Sequence, residues 1–243
     1  KELQEIIRTF INIGKMVILL TGNSGTGKTT ILQTIVREYY GADKSKDSDN
    51  ILSINTLKEQ GIAYYRNDVK IFCQSASTIP GKKKILILDD LDIINDQGQQ
   101  VFRNCIDKYS HNVCFIASCT NIQKVIDSIQ SRMNIIRIRH HTPSELTDII
   151  TDIIIKESIS LEPDVIPFII SICNGSVRIL INYLEKFKLL CRHIDVELAS
   201  QLCTNISFKE LGQYTRHCLD KNILSAMDVL NSFVDKGYSV TDI

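Results

Sequence analysis

The sequence predicts an α/β fold, a mostly parallel sheet with helices on both faces, followed by a purely helical region. Three observations carry this prediction. Short apolar runs alternate with helix-period stretches from Met16 to Ile138, and strands buried on both faces read as continuous apolar runs. From Thr142 onward only the helical period remains. A glycine-rich run, Thr21 to Thr30, joins the first strand to the helix after it. In an open parallel sheet, ligands bind at such strand ends.

Taken in order, residues 3–13 carry apolar side chains at helical spacing, and Met16 to Leu20 reads as a buried strand. A helix is expected from Thr29 to Tyr40, then a polar, turn-rich loop over 41–50. Ile51 to Asn55 reads as a strand, Ile62 to Ala76 as a helix, and Pro80-Gly81 as a turn. Lys82-Lys83-Lys84 reads as a solvated basic loop before a third strand, Lys84 to Leu88. A helix at Gln97 to Tyr109, a strand at Val113 to Ser118, a short helix at Ile122 to Ser128 and a strand at Asn134 to Ile138 complete the alternation. Thr142-Pro143-Ser144-Glu145 is a capping-box start, with proline at the first helical position. Helices are expected at 143–157, 162–173 and 176–190, a linker-like stretch at 191–205, and helices at 207–219 and 221–236. The expected division is an α/β domain (1–140), a small helical domain (141–192), and a linker with the beginning of a third, helical domain (193–243).

Composition sets limits on partners. Hydrophobic residues make up 44% and charged residues 23% of 243, the balance of a globular protein. With 28 basic and 28 acidic residues the formal net charge is zero, so any nucleic-acid binding rests on a local basic face or on oriented backbone amides. No apolar run is long enough to span a bilayer, and no signal-peptide pattern is present. The chain begins with Lys1 inside a helix-like pattern and reads as a fragment. None of its eight cysteines forms a C-x-x-C pair, and most sit in apolar runs, which reads as free thiols in a reducing, intracellular compartment.

The run Gly22-Asn23-Ser24-Gly25-Thr26-Gly27-Lys28-Thr29, closed by Thr30, satisfies G-x-x-x-x-G-K-[ST] between a strand and a helix. Glycines let the backbone wrap phosphate oxygens, and the loop N–H groups point at the anion. Lys28 adds a charge for the β- and γ-phosphates of ATP, and the Thr29 hydroxyl is a ligand for Mg²⁺. Further on, Ile85-Leu86-Ile87-Leu88-Asp89-Asp90 places carboxylates at the end of an apolar strand. Asp89 there suits Mg²⁺ and Asp90 the polarising of an attacking water.

Further motifs narrow the choice. Ile54-Asn55, Gly61-Ile62, Arg66-Asn67 and Lys70, then Gln99, Phe102 and Arg103, Ile129-Gln130-Ser131-Arg132, Asn174-Gly175-Ser176-Val177-Arg178, and Asp235-Lys236-Gly237-Tyr238 follow in order along the chain. In residue type and spacing they resemble the small subunits of replication factor C, a clamp loader of the AAA+ ATPase family. The resemblance runs over nearly the whole chain. It implies a P-loop AAA+ sheet, a helical lid and a truncated helical collar that serves oligomerisation. It implies that Arg132 is an arginine finger reaching ATP in a neighbouring subunit, that Thr120 falls at the sensor 1 position, and that Arg178 is sensor 2. Arg103 is a further candidate for service at the neighbouring site. The implied partners are the other subunits of a hetero-pentamer, a sliding clamp and primer-template DNA, at a replication site in nucleus or cytoplasm.

The chain departs from the family at several positions. Asp90 stands where the family has glutamate, and Thr120 where it has asparagine (Asn121 is adjacent). Leu57-Lys58-Glu59-Gln60 replaces S-D-E-R. Slow hydrolysis is therefore expected. Arg66 and Lys70, one helical turn apart, are candidates for DNA phosphate contacts, with a solvated helix face as the plain alternative. Two other readings stay open: another AAA+ DNA machine such as a helicase loader or branch-migration motor, and a structural subunit that binds nucleotide without turning it over.

Overall fold

The computed structural model describes residues 2–41, 48–55, 62–203, 208–235 and 237–239. The chain divides into two units, Lys1–His140 and His141–Ile243. Residues 57–61 and Lys236, singled out above, lie outside the described residues, as does the side chain of Arg66.

The first unit is built on five strands, β1 (Val17–Thr21), β2 (Ile51–Asn55), β3 (Lys84–Asp89), β4 (Val113–Cys119) and β5 (Asn134–Arg137). They lie in the order β2-β3-β4-β1-β5, and every pairing is parallel. Alternate residues of the strands feed two cores. Leu19, Leu86, Leu88, Phe115 and Ala117 pack with Val69 and Cys73 of α3 (Ile62–Gln74), Phe102, Cys105 and Ile106 of α4 (Asp96–Tyr109), and Ile129 of α5 (Asp127–Gln130). Ile18, Leu20, Ile85, Ile87, Cys114 and Ile116 pack with Ile7 of α1 (Glu2–Ile13) and Leu32, Ile35 and Val36 of α2 (Lys28–Tyr40). Helices thus cover both faces, which is why the strands are apolar throughout.

Two expectations for this unit change. The helix expected over Ile122 to Ser128 is broken into a 3₁₀ turn, Ile122–Lys124, and the single turn of α5. Gln99, almost fully buried, explains the break. Its amide donates to the carbonyls of Ile94 and Lys124 at 2.9 Å each, and its carbonyl accepts from Ile126 N–H at 2.9 Å. Backbone groups at 124–126 that a helix would pair internally are paired instead to a side chain of α4.

The three lysines that lead into β3, the last of them its first residue, are not a solvated loop. Lys82 Nζ donates to the Tyr39 carbonyl at the end of α2, 2.8 Å away. Lys83 Nζ donates to the Ser110 carbonyl just past α4, at 3.4 Å. Lys84 Nζ, in a buried residue, donates to the Phe72 carbonyl near the end of α3 at 3.5 Å and to Ser75 Oγ at 2.5 Å. In parallel α/β units the helices run back against the strands, so their C-termini gather at the N-terminal edge of the sheet. Each lysine meets the negative end of a different helix.

The second unit is helical: α6 (Pro143–Glu157), α7 (Val165–Cys173), α8 (Val177–Leu190), α9 (Val196–Leu202), α10 (Phe208–Leu219) and α11 (Ile223–Asp235). The capping box at Thr142 and Glu145 is present in both directions. α7 begins later than expected. Leu161 bridges Ile194, Glu162 N–H donates to the Ile194 carbonyl, and Pro163 disfavours helix in the residue before it. The stretch read as a linker holds α9, capped by Asp195, whose side chain accepts from Leu198 N–H. Ala199 and Cys203 pack into the same core as Leu146, Ile169, Leu180 and Phe187, so this segment belongs with α6–α8. Among the described residues no helix is long and apolar enough to cross a membrane.

Candidate nucleotide site

Because all strands are parallel, their C-terminal ends share one edge. β1 ends at Thr21, opposite Cys119 of β4, and the chain enters the glycine-rich loop. The Gly22 N–H donates to the Cys119 carbonyl at 3.4 Å. A Cβ on Gly22 would lie 2.8 Å from the Ile138 carbonyl, so only glycine fits where the segment after β5 crosses the loop. Gly27 has φ 86 at the mouth of α2, a left-handed turn that aims the helix N-terminus back at the loop. Thr26 is buried and its hydroxyl donates to the Asn23 carbonyl at 2.8 Å. Asn23 Nδ2 lies 2.8 Å from His140 Nε2. Ser24 is exposed, Gly25 has φ 77, and Thr30 sits exposed in the first turn of α2.

Lys28 opens α2 and is nearly buried; its ammonium donates to the Gly22 and Asn23 carbonyls at 2.8 and 2.9 Å. Burial lowers its pKa, and the carboxylates of Asp90, Asp89 and Asp92 oppose that shift. Thr29 Oγ1 donates to Asp89 Oδ2 at 2.8 Å. These two hard oxygens, one on each side of a strand-end cleft, fit the partial protein shell that Mg²⁺ takes beside phosphates.

β3 does not adjoin β1 directly, because β4 lies between them. Ser118 of β4 fills that gap. It is fully buried, its hydroxyl donates to Asp89 Oδ1, and it accepts from the Asp90 backbone N–H at 3.0 Å. Asp90 itself has φ 56, a left-handed turn just past the strand. Sequence reasoning missed Ser118. The available signal was a lone hydroxyl in a strand otherwise buried and apolar, since a buried hydroxyl needs partners. Thr120 is exposed directly after β4, and its N–H donates to the Asp92 carboxylate at 3.3 Å. Asn121, the alternative at that position, uses its side chain to cap the following 3₁₀ turn through Gln123 N–H.

Residues 18–140 match the family described as ATPase family associated with various cellular activities (AAA). A replication factor C small subunit of Methanococcus maripaludis is 30% identical over 227 residues, which cover 93% of this chain and 71% of that protein. The chain belongs to the AAA family, in its replication factor C small-subunit branch. Replication factor C subunit 4 of Oryza sativa is 29% identical over 93% of this chain and 67% of its own length. The chain thus spans about two thirds to seven tenths of these replication factor C relatives. In fold it is similar to a solved structure of the Thermotoga maritima RuvB Holliday junction branch migration motor, with a TM-score of 0.59, 16% identity, and coverage of 82% of this chain and 68% of that one.

The remaining residues expected from the replication factor C resemblance sit elsewhere. Arg132 precedes β5, at the N-terminal edge of the sheet. Arg137 at the other end of β5 pairs with Thr21, so a strand of at least ~10 Å separates Arg132 from the level of the phosphate loop. Arg132 Nε donates to Asp107 Oδ1 of α4 at 2.5 Å. Arg103, one turn before Asp107, lies 3.5 Å from Oδ2. The Arg132 hydrogen bond, reinforced by the charges of both arginines, holds the Asp107 carboxyl below its usual pKa. Arg178 is exposed at the start of α8 in the second unit. The Asn174-Gly175 part of its motif forms the α7–α8 turn, with φ 48 and 77, and Ser176 caps α8. Arg66 and Lys70 both lie in α3, and the Lys70 side chain is exposed.

Proposed function

We propose that this chain is an ATP-hydrolysing subunit of a clamp loader, working in a hetero-pentamer to place a sliding clamp on primer-template DNA at a replication site in nucleus or cytoplasm. The observation that carries this reading is the division of the catalytic set between two edges of one sheet. Lys28, Thr29, Asp89 and Asp90 gather at the C-terminal edge, and Arg132 stands at the N-terminal edge. A subunit built this way cannot supply its own site with that guanidinium. A ring or spiral of subunits can, each lending a cation to charge developing on its neighbour's nucleotide.

In this reading the loop amides and Lys28 bind the phosphates of ATP. Thr29 and Asp89 hold Mg²⁺, which when bound neutralises charge on the β- and γ-phosphates. Asp90 polarises the attacking water, Thr120 senses the γ-phosphate from just past β4, and Arg178 does so from a lid formed by α6–α9. The helices α10 and α11 begin the collar, and Arg66 and Lys70 contact DNA phosphates without reading sequence. The relatives named replication factor C and the AAA family match support the ATPase part of this reading. The likeness to RuvB is one of fold only, so it does not favour a branch-migration motor.

A second reading has one observation in its favour. Asp90 is a methylene shorter than glutamate, and its backbone is held to Ser118, which restricts its reach. That suits a structural subunit that binds nucleotide and turns it over slowly or not at all. The test is clamp- and DNA-stimulated ATP hydrolysis by the protein with its partner subunits, comparing wild type with Arg132→Ala and Asp90→Asn. Stimulated turnover that collapses in both variants supports the motor. Tight ATP binding without turnover at this site supports the second reading. Hydrolysis by the isolated chain, indifferent to Arg132, excludes the clamp-loader mechanism.

A further inference from the structure

Three charged side chains at the N-terminal edge of the sheet form one cluster. Asp107, near the end of α4, takes Arg132 Nε on Oδ1 at 2.5 Å and has Arg103 Nε 3.5 Å from Oδ2. All three are partly open, with side-chain exposures of 36% for Arg103, 39% for Asp107 and 31% for Arg132. The Arg132 guanidinium has a second anchor, Nη1 to the Ser128 carbonyl at 2.8 Å, and Nη1 also lies 3.4 Å from Ser131 Oγ. Arg103 Nη1 donates to Asn104 Oδ1 at 3.3 Å.

The atoms used matter. Arg132 meets Asp107 through Nε, a single-point hydrogen bond, whereas Arg103 Nε is an ion-pair contact at 3.5 Å that forms no hydrogen bond. Arginine–carboxylate pairs that commit the whole guanidinium are frequently bidentate, through two parallel N–H groups. Here the carboxylate fixes the base of the Arg132 guanidinium, the Ser128 carbonyl fixes its plane, and Arg103 is drawn alongside by charge. One carboxylate between two guanidiniums also offsets their mutual repulsion and leaves the cluster one positive charge in excess. That arrangement suits an incoming anion.

We propose that Asp107 is a positioning residue that holds Arg132 and Arg103 together as a two-armed receptor for the triphosphate carried by a neighbouring subunit. This rests on the reading of Arg132 as a finger acting in trans. Orientation of a catalytic group matters steeply, because a misplacement of about 1 Å costs on the order of a hundredfold in rate. A partly exposed ion pair by contrast adds little to folding stability. Loss of Asp107 therefore lowers turnover at the neighbouring site while leaving folding alone.

The experiment uses the assembled complex with clamp and DNA. It measures steady-state ATP hydrolysis, ATP KM, co-elution of the subunits and thermal midpoint for wild type, Arg132→Ala, Asp107→Asn and Asp107→Glu. The expected result is a fall in kcat of about tenfold or more for Asp107→Asn. KM, assembly and midpoint stay unchanged, and Asp107→Glu recovers most of the rate. In an Arg132→Ala background Asp107→Asn then has little further effect. If Arg132→Ala leaves turnover intact, the trans-finger reading itself fails. If Arg132→Ala abolishes turnover and Asp107→Asn does not lower it, the positioning role is overturned. A faster Asp107→Asn enzyme overturns it too, since Asp107 would then be a latch. Loss of subunit co-elution in Asp107→Asn does so as well, since the residue would then be building the interface.

Discussion

Thr29 and Asp89, sixty residues apart in the chain, meet side chain to side chain at 2.8 Å. The contact joins the start of α2 to the end of β3 over an intervening strand, whose Ser118 holds the other oxygen of the same carboxylate. Both Asp89 oxygens are thus oriented by hydroxyls. Thr29→Ala or Asp89→Ala should abolish Mg²⁺-dependent retention of ATP and lower turnover by about a hundredfold. Thr29→Ser, which keeps the hydroxyl, should retain both. Binding of a fluorescent ATP analogue with and without Mg²⁺ checks this, and equal binding by Thr29→Ala in both conditions would remove Thr29 from the metal site.

Asp90 has its backbone fixed by Ser118 and its side chain shorter than the family's glutamate. Asp90→Glu should raise kcat by roughly tenfold at unchanged KM, a fraction of the roughly hundredfold or more that general acid–base help supplies in full. Asp90→Asn should lower kcat, also without moving KM. Single-turnover hydrolysis in the assembled complex reads both. A slower Asp90→Glu enzyme would mean the site is built around the shorter acid.

The bond between Asn23 and His140 ties the phosphate loop to the segment that leaves β5. His140→Ala should loosen the loop and raise the KM for ATP several-fold with little change in kcat, the pattern of lost ground-state binding. Asn23→Ala should do the same, and the double variant should be no worse than either single one. Additive losses would show that the two residues act independently.

Six of the eight cysteines are buried, and Cys191 and Cys218 are exposed. Burial pushes the Cys114 thiol up to about 11 and the Cys173 thiol to about 12, so neither offers thiolate near neutral pH. A thiol reagent at pH 8 should modify two cysteines quickly in the native protein and all eight after denaturation. Fast reaction of a third would point to local opening of the core.

The strands and the phosphate loop were readable in the sequence because each is a local pattern. Lys84 to Leu88 is an apolar run because both faces of β3 are covered, and the spacing from Gly22 to Thr29 is itself the motif. What surrounds Asp89 was not readable in the same way. That Ser118 reaches the Asp89 oxygen that Thr29 does not use depends on β4 being inserted between β1 and β3, and strand order leaves no local periodicity. The broken helix at 122–128 was missed for a related reason. Its apolar spacing is helical, but Gln99 competes for its backbone groups from another element. α9 was missed because it is only seven residues long, about two turns, too short for its apolar residues Val196, Leu198, Ala199 and Leu202 to show a clear helical period.

The lysines at 82–84 have a consequence for how the chain meets proteases. A run of three lysines beside Pro80-Gly81 looks like an open site for trypsin. Each of these side chains is instead drawn onto a helix end, and the backbone N–H of Lys83 is held by the Tyr39 hydroxyl at 2.8 Å. The scissile bonds therefore cannot lie extended in an enzyme's cleft until α2, α3 and α4 release them together. Digestion under native conditions should spare this tripeptide, and the first cut seen there should report unfolding of the whole α/β unit.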